Sequence, residues 1–460
     1  MKNRVNNGVS KRAALFVVVM SSFVSPFLFS SVSIALPSIG RELALDAVTL
    51  SWVATSYLLT SAMFLVPFGR ISDIHGRKRI FTYGMIIYTI APLLVAISTS
   101  GTMLISFRVL QGIGSAMISG TLVAILTSVF PLSERGKALG IYTASVYVGL
   151  SVGPALGGFL TQYFGWRSIF LAIVPLGLAI IATVIWKLKG EWAEAKGEKF
   201  DLTGSIIYCL ALAAIMYGFS LVPAMSGVWL IVIGSLGILA FIKWETRAKS
   251  PVLSISLFKK NTAFSLSNLA ALIYYTAAES VTFLLSLYLQ YIKGFSPQYA
   301  GLILVSRPLV MAVLSPVAGR LSDRIEPRIV ASVGMTLTTI GLVLLTFLSQ
   351  NTGLEFILAS LIILGLGFAF FSSPNMNAIM SSVERKFYGV AAGTSGTMRQ
   401  SGQMLGMGIA MLLFALYIGR VQITPEYYPL FLKSAKTAFA ISAALCFGGI
   451  LVSLARGKRR

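Results

Sequence analysis

Carboxylates are scarce in this chain: 15 Asp and Glu in 460 residues, against 37 Lys and Arg, with one His and two Cys. Each shortage excludes a class of chemistry. A lone His75 cannot build an imidazole metal site, and no nucleophile–base constellation accompanies it. Cys209 and Cys446 fall in different apolar stretches and read as inert packing thiols, with no disulfide framework or thiolate metal site. Neither a metal nor a cofactor is expected, and an enzyme has no support. Charged residues make up only 11% of the chain while apolar residues reach 56%, at a mean hydropathy of +0.84. A water-soluble domain of this length cannot hide so much apolar surface, whereas an all-α polytopic membrane protein need not.

The apolar residues fall into fourteen stretches, near 13–36, 49–68, 80–98, 102–129, 138–160, 168–186, 202–222, 227–244, 262–291, 298–318, 329–348, 354–379, 390–418 and 434–455. Most match the ~20 residues that cross a hydrocarbon layer. With the N-terminus inside, 28 of the 37 cations lie in cytoplasmic segments, 6 in external segments and 3 within spans. That bias predicts a multi-pass protein of the cell (plasma or inner) membrane with both termini cytoplasmic. The net charge of +22 is therefore a topology signal with some pull toward anionic lipid, not a nucleic-acid footprint. The first stretch follows Lys2, Arg4, Lys11 and Arg12 but is too long for a cleavable signal core, and reads as the first span.

The chain is duplicated. Gly69-Arg70-Ile71-Ser72-Asp73 returns 250 residues later as Gly319-Arg320-Leu321-Ser322-Asp323, each copy between two apolar stretches. Six spans with short loops use only roughly 200 residues, so two extra helices are expected between the copies. The expected organisation is a six-helix bundle over 1–186, a linker with two additional transmembrane helices over 187–261, and a second six-helix bundle over 262–460. The segment 187–201, rich in both Lys and Glu, reads as a surface helix or linker.

Five groups of residues carry chemistry. In the first loop, Gly69, Gly76 and Asp73 precede Arg77-Lys78-Arg79; the glycines permit a tight turn, and Asp73 can cap the next helix or pair with Arg77. The second copy supplies Gly319, Asp323 and Arg324. In span 4, Arg108 and Gln111 lie inside the apolar stretch, where a cation faces a cavity or partner, or is tied to backbone carbonyls. In span 5, Gly149, Gly153 and Gly157 recur every fourth residue with Pro154 among them, a flat stripe for close helix approach. In span 9, Glu279 is the one carboxylate at mid-span. Burial disfavours its charged form, which suits a reversible proton carrier; a static pair with Arg307 of span 10 or Arg399 of span 13 is the alternative. Last, Gln403, Trp52, Tyr274, Tyr275 and Asn375 are candidates, with Gln111, Arg307 and Arg399, to line a substrate cavity.

The loop repeat, Arg108-x-x-Gln111-Gly112, the Gly stripe around Pro154, Gly165-Trp166-Arg167-x-x-Phe170, Asp201-x-x-Gly204 and Leu257-Phe258-Lys259 together resemble the major facilitator superfamily, in its fourteen-span drug–proton antiporter group. The resemblance covers nearly the whole chain. It implies two six-helix bundles that rock about a mid-membrane substrate site, gating roles for the loop and stripe motifs, and proton transfer at Arg108. It also implies proton-coupled export of drugs or other amphipathic small molecules by a monomer in the lipid bilayer. One departure stands out: the group commonly has an Asp in span 1 where this chain has Leu28, nine residues before Pro37. Glu279 is then left as the coupling candidate. Three mid-span Arg against one Glu also keep open an exporter or facilitator of an endogenous, anionic metabolite without proton coupling.

Overall fold

Helix starts are written into the loops. Asp46, Ser100, Asp201, Asn261 and Ser296 each accept a hydrogen bond on the side chain from the backbone N–H three residues on, capping five different helices. A computed structural model describes residues 11–457 except 189, 194, 249, 254 and 385–387. In chain order the helices are α1 Lys11–Glu42, α2 Ala47–His75, α3 Arg77–Ala96, α4 Gly101–Val129, α5 Leu132–Phe164, α6 Arg167–Leu171, α7 Ile173–Lys187, α8 Leu202–Leu221 and α9 Met225–Glu245. There follow α10 Ile255–Lys260, α11 Thr262–Leu287, α12 Pro297–Leu304, α13 Ser306–Arg324, α14 Pro327–Leu345, α15 Leu354–Ser381, α16 Tyr388–Tyr417 and α17 Tyr428–Leu454. Tyr288–Ile292 continue α11 as a π-turn.

Among the described residues thirteen segments are long and apolar enough to cross a membrane, with α6–α7 and α12–α13 each counting as one. Outside that set are the short α10, and α16, which has the length at 30 residues but carries Arg399, Gln400 and Gln403. Both described ends of the chain lie at one face of the helix array, called here the terminal face; the opposite one is the far face.

Glycine sets the packing, and the sequence duplication reappears in it. In the first half α3 crosses α4 with a Cβ at Gly84 falling 3.1 Å from the Gly114 carbonyl; in the second, α14 crosses α15 with a Cβ at Gly334 falling 2.7 Å from the Gly367 carbonyl. Likewise α5 lies on α1 through Gly149, Gly153 and Gly157, and α16 lies on α11 through Gly402 and Gly406. Without hydrophobic drive between helices in lipid, such small-residue contacts let backbones approach and van der Waals packing hold them. Helices α8 and α9 pack on each other, and α8 also contacts α2 and α16. The helix α5 runs unbroken through Pro154. The segment 188–201 forms no helix among its described residues, in place of the surface helix considered from sequence. Cys209 and Cys446 are free.

Candidate functional site

The second half brings its mid-membrane polar residues together. Glu279 on α11 accepts a hydrogen bond at Oε2 from Gln403 Nε2 on α16, at 2.9 Å. The close α11–α16 approach places them so: a Cβ at Gly406 would sit 3.1 Å from Glu279 Cβ. Arg307 stands at the start of α13, just past the Val305 break that ends α12. Its Nη1 donates to the Ala278 carbonyl at 3.3 Å and Thr282 Oγ1 at 3.4 Å. Arg399 lies one turn before Gln403, and its Nε is buried without a partner. Glu279, Arg307, Arg399 and Gln403 are all partly exposed, so they border one space between the halves. Among the described residues no cation comes within ion-pair distance of Glu279; its partner is an amide.

Aromatic rings close one side of that space. Tyr275 donates to or accepts from Ser372 at 3.3 Å, its ring 6.1 Å from Phe368. Phe368 in turn meets Tyr147 of α5 edge-on at 6.3 Å, an aromatic contact across the halves. Ser61 of α2 donates to Gln400 Oε1 at 3.0 Å, a second crossing at mid-membrane.

In the first half Arg108 is 1% exposed, bonded through Nε and Nη1 while its Nη2 is buried without a hydrogen-bond partner. Its Nε donates to the Val53 carbonyl at 3.0 Å, Nη1 to Gln111 Oε1 at 2.5 Å, and the guanidinium lies 4.5 Å from the Tyr57 ring centre. Tyr57 then bonds Ser25 and Ser115. The residues expected to line the cavity therefore divide. Arg307, Arg399, Gln403 and Tyr275 meet around Glu279. Gln111 is spent on Arg108, inside the bundle. Tyr274 is fully buried, stacked 3.9 Å on Phe371 with its hydroxyl 3.1 Å from Thr338, so it belongs to the core of the second half. Trp52 tilts against Tyr217 of α8, and Asn375 is 4% exposed with Oδ1 unpartnered. Leu28 is buried at 1%, packed where the resemblance would place an acid.

The duplicated loops differ. In the first, Asp73 pairs with Arg77 at 2.8 Å, and Arg77 also donates to Ser128 at 3.0 Å. Asp73 does not cap α3. That role falls to Glu191 of the linker, which accepts from Lys78 N at 2.8 Å and Arg79 N at 3.2 Å. Gly76 is favoured here because its φ of +116° is a backbone conformation that residues with a Cβ rarely adopt, and a Cβ would also displace the Glu191 side chain. Two backbone bonds, Arg77 N to Trp192 O and Ala195 N to Asp73 O, and the Arg70–Glu198 ion pair complete a strap over the loop. In the second loop Asp323 accepts from Asn377 at 3.1 Å, and Arg324 is exposed.

The described residues hold no group of three or more His, Cys, Asp or Glu placed to bind a metal. The Major Facilitator Superfamily model matches residues 18–244 and 268–460. The riboflavin transporter RibZ of Clostridioides difficile (strain 630) is 28% identical, over 96% of this chain and 97% of its own. The cephamycin export protein CmcT of Amycolatopsis lactamdurans is 30% identical, over 89% and 86%. The multidrug resistance protein Stp of Mycobacterium tuberculosis (strain CDC 1551 / Oshkosh) is 27% identical, over 88% and 74%. Among solved structures, the peptide transporter POT in complex with sulfate superposes with a TM-score of 0.72 at 14% identity, covering 96% of this chain and 95% of that one. Two glycine-packed halves, a polar centre between them and a match along nearly the whole length agree: this chain is a membrane transporter and belongs to the major facilitator superfamily.

Proposed function

We propose that the protein is a secondary active exporter of amphipathic small molecules, driven by protons that Glu279 binds and releases. The observation that carries this is the partner of Glu279. Gln403 can donate its amide N–H to a carboxylate, or, turned over, accept from a carboxylic acid, so either protonation state keeps a hydrogen bond. The charged and titratable groups around it are Arg307 on α13, Arg399 on α16 and Tyr275 on its own helix. Export rather than import rests on the α5 stripe and on relatives whose names describe export or resistance. The charge bias argues that the terminal face is cytoplasmic, and the protein is taken to work as a monomer. In proteoliposomes with an imposed pH gradient and a panel of dyes, Glu279→Gln should abolish uphill transport yet leave downhill exchange partly intact. Undiminished pH-driven transport by that variant would refute the role of Glu279.

A second reading, carriage of an anionic metabolite without proton coupling, is favoured by Arg399, whose Nε is buried without a hydrogen-bond partner. A buried charge needs a counter-charge or water, and an acidic group on the substrate would supply it. Arg399→Ala should then weaken transport of acidic probes far more than of neutral ones.

A further inference from the structure

Pro37 lies inside α1. It has no N–H to give the Ser33 carbonyl, four residues earlier, its helical hydrogen bond. The donor comes instead from the other half: Ser286 Oγ of α11 reaches the Ser33 carbonyl at 2.7 Å. One turn on, Gln290 Nε2 donates to the next carbonyl, Ile34 O, at 2.9 Å, and to Ser286 Oγ at 3.2 Å. Ser286 is fully buried and Gln290 is 3% exposed. Gln290 sits in the π-turn that ends α11, where Lys293 N bonds Tyr288 O; π-turns are rare and collect at functional positions.

These contacts belong to a one-sided closure. At the far face Ala47 N bonds Val421 O at 2.9 Å and Gln422 bonds Ala44 O at 3.1 Å. There too Gly301 lies against the Pro154 carbonyl and Gly158 against that of Pro297. Toward the terminal face, Cβ atoms at Gly140 of α5 and at Gly389, Gly393 and Gly396 of α16 would enter open space. The structure is closed at the far face and open at the terminal one.

Glu279, Ser286 and Gln290 are spaced i, i+7, i+11, a single stripe along α11. We propose that Ser286 and Gln290 are positioning residues: a latch on the proline-freed turn of α1 that holds the far face shut, carried on the same helix stripe as the carboxylate at mid-membrane. The latch rests on the alternating-access reading and is independent of substrate. Closing the far face puts two polar side chains onto backbone acceptors, and opening it leaves Ser33 O to find water. Losing a hydrogen bond of this kind shifts a two-state balance about fivefold.

The test is a pair of spin-label distances in a background with Cys209→Ser and Cys446→Ala. Labels at Ile97→Cys and Phe347→Cys, both exposed, report the far face; labels at Lys137→Cys and Val390→Cys report the terminal face. Ser286→Ala and Gln290→Leu should each raise the far-open to far-closed ratio about fivefold, with the terminal pair closing in step. Ser286→Thr, which keeps the hydroxyl, should restore the wild-type distribution and shows that a folded bundle is being measured. If the wild type changes distances on a pH step but folded Ser286→Ala and Gln290→Leu match it, the latch is wrong. If the wild type holds one distance under every pH tested, proton-driven switching is wrong for this chain, and the latch is then decided by the mutants alone: an unchanged far-open to far-closed ratio in folded Ser286→Ala and Gln290→Leu overturns it. Lost transport with unchanged distances would make both residues packing residues only.

Discussion

Replacing Gly157 by Ala adds one methyl group where none fits. Its Cβ would lie 2.6 Å from Ser31 Cβ and 2.7 Å from Ser31 Cα, roughly 1 Å inside ordinary carbon contact. The obstruction is partly backbone, so no rotamer change relieves it; α5 and α1 must separate along their shared stripe. Overpacking of this kind costs about 1–3 kcal/mol. The same change at Gly69 meets nothing within 4 Å and exchanges a helical Gly for Ala, which gains up to ~1 kcal/mol from propensity alone. The two substitutions should therefore move thermal stability in opposite directions. In detergent, followed by fluorescence-detected size-exclusion after heating, Gly157→Ala should lower the midpoint by several degrees and Gly69→Ala should leave it unchanged or higher. A wild-type midpoint for Gly157→Ala would mean that the stripe does not bear the α1–α5 approach, and the steric account of that motif would fail.

Other substitutions test separate parts. Arg108→Ala leaves the Val53 carbonyl and Gln111 unpaired inside the bundle, at about 1–3 kcal/mol each, and should lower folded yield; normal yield with lost transport would instead favour a role in proton transfer. Asp73→Asn breaks the pair with Arg77 and should slow transport while membrane insertion stays normal; if Asp73→Asn and Asp323→Asn both transport at the wild-type rate, the loops do not gate. Glu191→Ala removes two backbone hydrogen bonds at the start of α3 and should cost about 1 kcal/mol, read as a lower midpoint than for the neighbouring exposed Lys196→Ala. A reporter fused after residue 460 should behave as cytosolic; an external signal would overturn the inside-positive topology.

What the sequence revealed and what it hid have distinct physical causes. Glu279 stood out because a carboxylate is rare inside an apolar stretch, and the loop repeat stood out because its charged residues interrupt one. The polar stretch of α16 is the cost of lining a cavity: Arg399 and Gln403 lower its hydropathy, yet its length and neighbours still mark a span. Tyr274 and Tyr275 were indistinguishable in sequence, since a helix turns 100° per residue and only packing decides which ring meets Phe371 in the core and which meets the space beside Phe368. Ser286 and Gln290 carried no signal at all, because their acceptors are backbone carbonyls of a helix 253 and 256 residues away, and a backbone acceptor leaves no trace in residue type. The strap over the first loop was hidden for the same reason: Trp192 and Ala195 engage it through main-chain atoms.

That strap bears on how the protein is made. A chain is synthesised from its N-terminus, and its parts fold in that order. The first loop is fastened by residues 191–198, which emerge directly after the sixth span of the first half. The second loop is approached by the last turn of α17, where Ser453 bonds Ser332 at 2.9 Å and Arg328 reaches the Leu454 carbonyl at 3.5 Å. The first loop is thus fastened by the segment translated just after its half, and the second by the closing turn of its own half. The first half is complete as a brace before α8 begins, and the second waits only for its own end. Duplication has left two modules that mature one after the other.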